Sequence, residues 1–245
     1  MTYRIDYTGF CIKGPQRQKN EDNLLYAGVY LPADHEDLEL AVNRIPAGDD
    51  SWLAVFDGMG GEAKGERASF LSAEAMAGIS AETSDPERIT REMNRAVCDY
   101  AQAHHILSMG STVAAVCFGS AQVTGFNVGD SRCYQMRDGQ LKRLSEDHAR
   151  VVPVGKQKLL TQHIGIAASD FTIEPHLFCS DYRAGDQYLL CTDGVTDQII
   201  DRRIREILAG PSSLEEKLIS LRSRLESKGV PDNSTALLIR IAEGD

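Results

Sequence analysis

Apolar, β-rich runs recur along the chain at 52–56, 112–118, 123–128, 188–191 and 236–241. Each is bounded by Gly, Asp or Asn, the punctuation expected of strands. Within 132–144 the run RCYQMRDGQLKRL sets Asp138-Gly139 between two candidate strands, which predicts a tight hairpin. Helical spacing appears in two blocks. In the first, Ala68, Leu71, Ala75 and Ile79 step by three and four residues, and Asp85-Pro86 opens a second helix with Ile89, Met93, Ala96 and Tyr100 on one face. The later block starts near Thr196, carries Ile200, Ile204, Ile207 and Leu208, and stops at Gly210-Pro211. Ser213 and Glu216 then form a capping-box pattern ahead of Leu214, Leu218, Leu221 and Leu225. Strands, two helices, many strands, two helices and a last strand predict a layered α+β domain rather than an alternating βαβ fold. No repeat or linker divides 1–245, so a single domain is expected. Residues 31–50 are acidic and irregular, with Asp34, Glu36, Asp37, Glu39, Asp49 and Asp50 against Arg44, and are expected to form a solvated surface insertion.

Composition narrows the class. The 245 residues are 42% hydrophobic and 25% charged, ordinary globular usage that excludes a disordered or fibrous chain. A net charge of −10 argues against non-specific binding to nucleic acid or anionic membrane. No apolar run reaches the roughly 18 residues needed to span a bilayer, and MTYRIDYTGF lacks the charged start and apolar stretch of a signal peptide. The cysteines (Cys11, Cys98, Cys117, Cys133, Cys179, Cys191) are scattered without a C-x-x-C pair, which fits reduced cytosolic thiols better than a disulfide framework or zinc site. A cytoplasmic protein is expected.

The informative pattern is where aspartates fall. Asp57 ends the run WLAVF, Asp193 follows YLLC, Asp130 follows FNVG, and Asp232 stands just before NSTALLI. A carboxylate at a strand end is held rigidly, and a neighbouring glycine lets the backbone turn away or approach a ligand. Asp-Gly is also common in simple turns. Brought together, however, such acids would repel one another unless cations neutralised them, and hard oxygen ligands suit magnesium or manganese. Near the N-terminus, Arg17 precedes Glu21 and Asp22 in RQKNED. Alone it reads as a surface charge; beside a metal-carboxylate cluster its guanidinium would match a phosphate.

The chain resembles metal-dependent serine/threonine protein phosphatases of the PPM/PP2C family in their bacterial form. The motifs run in family order: RQKNED (17–22), VFDGMGGEAKGERAS (55–69), MGSTVAAV (109–116), NVGDSRCY (127–134), LSEDH (144–148), CTDGVTD (191–197) and DNSTALLI (232–239). The resemblance implies an αββα sandwich, two antiparallel sheets covered by helix pairs, with metals in a cleft at one end. It implies that Asp57 bridges two metals, that the Gly58 carbonyl is a second ligand, and that Asp193 and Asp232 are terminal ligands. Glu21 and Asp22 would act through metal-bound waters, and Arg17 would grip the substrate phosphate. Asp130, with Asp193, would hold a weaker third metal. The expected cofactors are thus two divalent cations (Mn or Mg) and a weaker third, and the expected partners are phosphorylated protein substrates of a serine/threonine kinase. Two divalent ions about 3.5–4 Å apart can activate a bridging water and clamp a phosphoryl group, so no covalent phosphoenzyme is expected. Ser111 and Thr112 are read as structural, with no general base beside them.

Two departures stand out. Met59 occupies the place where eukaryotic-type members carry a histidine proposed as general acid, and His148, a tempting substitute, is read instead as making a structural hydrogen bond at a strand end. His104 and His105 are read as solvated, and Cys191 as an inert strand thiol despite its nearness to Asp193. The flap at 149–160 is short, which predicts an open cleft and a looser third-metal site. A silent, protein-binding relative would have lost a ligand aspartate, whereas Asp57, Asp193 and Asp232 are all present. A calcium-binding protein is disfavoured because no D-x-D-x-D-G loop occurs.

Overall fold

The structure is a computed structural model that describes residues 2–59, 64–79, 85–151 and 158–244. Two large antiparallel sheets pack face to face. One takes β1 (Tyr3–Ile12), β4 (Leu38–Pro46), β9 (Arg132–Arg137), β10 (Gln140–Arg143), β14 (Gln187–Cys191) and β15 (Ser234–Glu243) in the order β10-β9-β14-β15-β1-β4. The other takes β2 (Asp22–Tyr26), β3 (Val29–Tyr30), β5 (Trp52–Met59), β7 (Val113–Phe118), β8 (Gln122–Val128) and β13 (His176–Asp181) in the order β13-β8-β7-β5-β2-β3, with the short β6 (Gly110–Ser111) paired to the end of β5. A separate ribbon pairs β11 (Ala149–Val151) with β12 (Lys158–Leu160).

Ile5, Tyr7, Leu24, Leu53, Val55, Val116, Leu190, Leu237 and Ile239 fill the space between the sheets. The outer face of the second sheet is covered by α1 (Gly65–Ala77) and α2 (Pro86–Ala103), and that of the first by α4 (Asp201–Ala209) and α5 (Leu214–Glu226), with the single turn α3 (Asp193–Thr196) at its edge. The expected four-layer αββα sandwich is the observed one. No helix among the described residues is long and apolar enough to cross a membrane.

Local signals explain most elements. Asp85 caps α2 by accepting from the Glu87 amide, and Ser213 and Glu216 make a reciprocal capping box on α5. Asp138 and Gly139 both take positive φ (50° and 75°), the two-residue turn that matches the twist of a hairpin.

Elsewhere the structure corrects the sequence reading. Residues 31–50 are not an irregular insertion: 38–46 form β4, which pairs with β1 along its edge. Leu38, Leu40 and Ile45 reach the inter-sheet core while most of the strand faces solvent, so the acids hid a real alternation. The buried residues of α1 are Gly65, Glu66, Ala68, Ser69, Ser72, Ala73 and Met76. Leu71, Ala75 and Ile79 lie only partly buried at its border, because small residues let the helix sit close to the sheet. The helix expected from near Thr196 begins only at Asp201, after the separate turn α3, and Ile200, 65% exposed, is the N-cap of α4 rather than part of an apolar stripe.

Candidate active site

The site begins with strand register. β2 and β5 are antiparallel neighbours, and Asp22 stands directly opposite Asp57. Directly opposed residues have Cβ atoms about 4.5–5.5 Å apart on one face, so the pairing alone sets two carboxyls side by side. Asp22 is buried and accepts from the Thr192 hydroxyl (2.9 Å) and the Thr235 hydroxyl (2.7 Å), both on the facing sheet. It therefore ties the two sheets together beneath the site. Burial pushes its carboxyl up to about 8, against the pull of those two hydroxyls, and Asp193 and Asp232 add repulsion. Asp57 is likewise raised well above the carboxylate range, first by burial and then by Asp193 and Asp22. Its backbone is fixed on both sides by Thr112, whose hydroxyl accepts from the Asp57 amide (3.1 Å) and whose amide donates to the Asp57 carbonyl (2.8 Å). Ser111 donates to the Thr112 carbonyl, so both residues are structural, as expected.

The first sheet brings the next acids. β14 ends at Cys191, Thr192 turns the chain, and Asp193 opens α3. Its carboxyl is raised to about 6, by burial and then by the neighbouring Asp130. Asp130 is buried behind β8 after Gly129, whose φ of 93° and contact with the Thr112 side chain leave no room for a Cβ. Lys158, the first residue of β12, places its Nζ 2.5 Å from Asp130 Oδ2 and 3.9 Å from Asp193 Oδ2.

The third side comes from the segment between β1 and β2. Arg17 donates to Asp232 Oδ2 (2.6 Å) and lies 3.9 Å from Glu21. Asn233 holds this segment in place. Its Oδ1 accepts from the Glu21 amide, and its Nδ2 donates to the carbonyls of Lys13 and Lys19. Gly58 must be glycine, since an added Cβ would lie 2.0 Å from the Gly65 carbonyl oxygen and 2.4 Å from that of Glu21. Burial raises the Glu21 carboxyl, with Arg17 pulling the other way.

Arg17, Glu21, Asp57, Gly58, Met59, Asp130, Lys158, His163, Asp193, Asp197, Asp232 and Asn233 line one open cleft of about 610 Å³, together with Thr112, Leu159 and Leu160. The structure thus gathers Arg17, Glu21, Asp57, Gly58, Asp130, Asp193 and Asp232 in that cleft and sets Asp22 beneath it. His148 does not line the cleft; its amide donates to the Gly129 carbonyl and its Nδ1 accepts from the Gly129 amide. His104 stacks on Tyr100 at an exposed helix end. Burial pushes the Cys191 thiol up to about 12, which keeps it inert. Gly60, Gly61, Glu62 and Ala63 of the glycine-rich motif, and flap residues 152–157, lie outside the described residues.

Lys158 and His163 went unmarked in the sequence. His163 is carried by the bridge between Ser111 and Ile164 and hydrogen-bonds the Ile164 carbonyl (2.9 Å). Only the Asn immediately after Asp232 was legible, as part of DNSTALLI.

The donor set fits hard divalent cations. Acids crowded this closely repel by about 4 kcal/mol per ionised pair at 4 Å and an effective dielectric of 20, and the carboxyls of Asp22, Asp57 and Asp193 are all raised, first by burial and then by neighbouring acids. Among the described residues no three ligating groups converge on one point, and two of the acids are instead paired with cations, Asp232 with Arg17 and Asp130 with Lys158.

Known proteins share this fold and much of this sequence pattern. The protein phosphatase 2C family profile matches residues 43–235. The serine/threonine protein phosphatase PstP of Mycobacterium tuberculosis (strain H37Rv) is 30% identical over 264 residues, which cover 100% of this chain and 46% of PstP, so the chain spans about half that relative's length. The serine/threonine phosphatase stp of Listeria monocytogenes (strain EGD-e) is 28% identical over 252 residues, 93% of this chain and 92% of that protein. The catalytic domain of PstP in complex with two manganese ions superposes with a TM-score of 0.77 at 27% identity, covering 99% of this chain and 100% of that one. The profile match over 43–235, with similarity to PstP along the whole chain, places the chain in the protein phosphatase 2C family.

Proposed function

We propose that the chain hydrolyses phosphoserine and phosphothreonine in proteins, in the cytoplasm, opposing a serine/threonine kinase. One observation carries the reading. The acids Asp57, Asp193 and Asp232 and the cation Arg17, scattered over more than 200 residues of sequence, line a single cleft at the ends of two sheets. Asp57, the Gly58 carbonyl, Asp193 and Asp232 would hold two divalent cations, manganese or magnesium, with Glu21 and Asp22 acting through water. Bound there, such ions supply the charge that lowers the pKa of an attacking water and offsets the phosphoryl oxygens.

The chain's own residues do the rest. Arg17 presents a guanidinium at the cleft mouth, half-exposed and held on Asp232, from which it can pass to a substrate phosphate in a bidentate fork. Thr112, the hydroxyl residue lining the cleft, is engaged with the Asp57 amide and with Ser131 (2.6 Å), so it is poorly placed as a nucleophile. That favours direct attack by water over a covalent phosphoenzyme. Met59 offers no proton, and His163 is the histidine facing the cleft. A silent protein-binding module would be expected to lack one of the acids, and none is missing.

The test is phosphate release from a phosphothreonine peptide with manganese, with magnesium and with chelator, beside Asp57→Asn. Metal-dependent release that the variant loses by at least about 10³-fold, a barrier increase of roughly 4 kcal/mol, is expected. No release from folded wild-type protein under any condition would move the weight to the silent module.

A further inference from the structure

The acids around Asp130 already have a cation. Lys158 Nζ lies 2.5 Å from Asp130 Oδ2 and 3.9 Å from Asp193 Oδ2, and Asp197 adds negative charge on the same side. The nitrogen is sealed from solvent and makes no well-directed hydrogen bond, so it stands against the carboxylates as a charge rather than as an aimed donor. Its backbone is held in place by the ribbon, where Lys158 pairs with Val151 at the base of the short flap. A manganese or magnesium ion bound to the same Asp130 oxygen would sit about 2.0–2.2 Å away, in the space the ammonium fills.

We propose that Lys158 is a built-in substitute for a third divalent cation: its ammonium neutralises Asp130 and the outer side of Asp193, and excludes a metal from that position. The proposal rests on the two-metal reading above. A tethered charge needs no free ion to be present, and its separation from Asp193 leaves that carboxylate able to face the central pair. Lys158 is a positioning residue here, acting on the charge of the acids.

Manganese binding read by calorimetry and by electron paramagnetic resonance, on intact protein, tests it without reference to turnover. Wild-type protein is expected to bind two ions. Lys158→Met, which keeps the apolar stem and removes the charge, is expected to bind a third, weaker ion, and Lys158→Met with Asp130→Asn to return to two. Lys158→Ala replaces the Met variant if thermal unfolding shows the latter to be misfolded. Three ions in the wild type, or two in the charge-removed variant, would overturn the proposal while leaving the two-metal reading intact. No manganese bound by folded wild-type protein would instead bring down the two-metal reading, and this proposal with it.

Discussion

Asp22 and Asp57 show what single residues do in this protein. Each would be an ordinary surface acid in an extended chain; set opposite each other on adjacent strands, Asp22 buried and Asp57 partly so, they become a store of unfavourable charge. Arg17 is the counterweight on the open side. Replacing it with alanine removes a charge-assisted contact to substrate phosphate, a class of interaction contributing about 1.5–3 kcal/mol. The expected loss in kcat/KM is about 10–100-fold, most of it in KM. Steady-state kinetics on a phosphopeptide check this, and unchanged constants would take Arg17 out of the site. Asp6 behaves in the opposite sense to the cleft acids. It is buried in β1, but its partners Arg4 (2.8 Å) and Arg240 (2.9 Å) outweigh the cost of burial and hold its carboxyl below the usual range.

At the scale of elements, Asn233 is the part most easily overlooked. One side chain joins the start of β15 to the whole segment between β1 and β2, through the Glu21 amide and the Lys13 and Lys19 carbonyls. Asn233→Ala is expected to cost about 1–3 kcal/mol in stability. It should also raise KM, because Arg17 rides on the freed segment. Thermal unfolding and kinetics on the same sample check both effects; a stability loss with no change in KM would show that Arg17 is held by Asp232 alone. The flap ribbon has a matching role on the other side. By fixing Lys158, a short β11–β12 pair brings a cation into the cleft with few residues of its own.

For the whole molecule, the raised carboxyls make folding and metal binding depend on pH together. Asp193 titrates near 6 and Asp22 near 8 in the folded, metal-free protein, against 3.8 when unfolded. A folded pKa above the unfolded one contributes stability below the unfolded pKa, and that stability is lost as pH rises through the folded value. Chelated protein is therefore expected to lose melting temperature steadily between pH 5 and pH 8, at roughly 2–4 °C per kcal/mol for a chain of this size. Manganese should restore most of the loss at pH 8 and little at pH 5, where protons compete for the same oxygens. Asp22→Asn should flatten the upper part of the chelated curve. Scanning calorimetry across that range checks it; a melting temperature that rises with pH in chelator would mean the acids are not crowded as described.

Much of this was legible in the residue order. The caps of α2 and α5, the Asp138-Gly139 hairpin, the five apolar strands and the set of strand-end aspartates all follow from local chemistry, which neighbouring residues alone can satisfy. β1 gave no such signal. Tyr3, Ile5 and Tyr7 do alternate with Arg4, Asp6 and Thr8, but past Gly9 both faces are apolar, with Phe10 and Ile12 toward the helices and Cys11 between the sheets, so the alternation is too short to mark a ten-residue strand. β4 was masked by its acids, and Ile200 looked apolar by period although no facing surface receives it. The same division holds in the cleft. Sequence alone determined which acids could act and in what chemical class, because those depend on residue type and motif order. Tertiary structure decided which groups answer them, since the cation Lys158 and the neighbours His163 and Asn233 acquire their places only through contacts between segments distant in the chain, and charge is settled by distance in space rather than along the sequence.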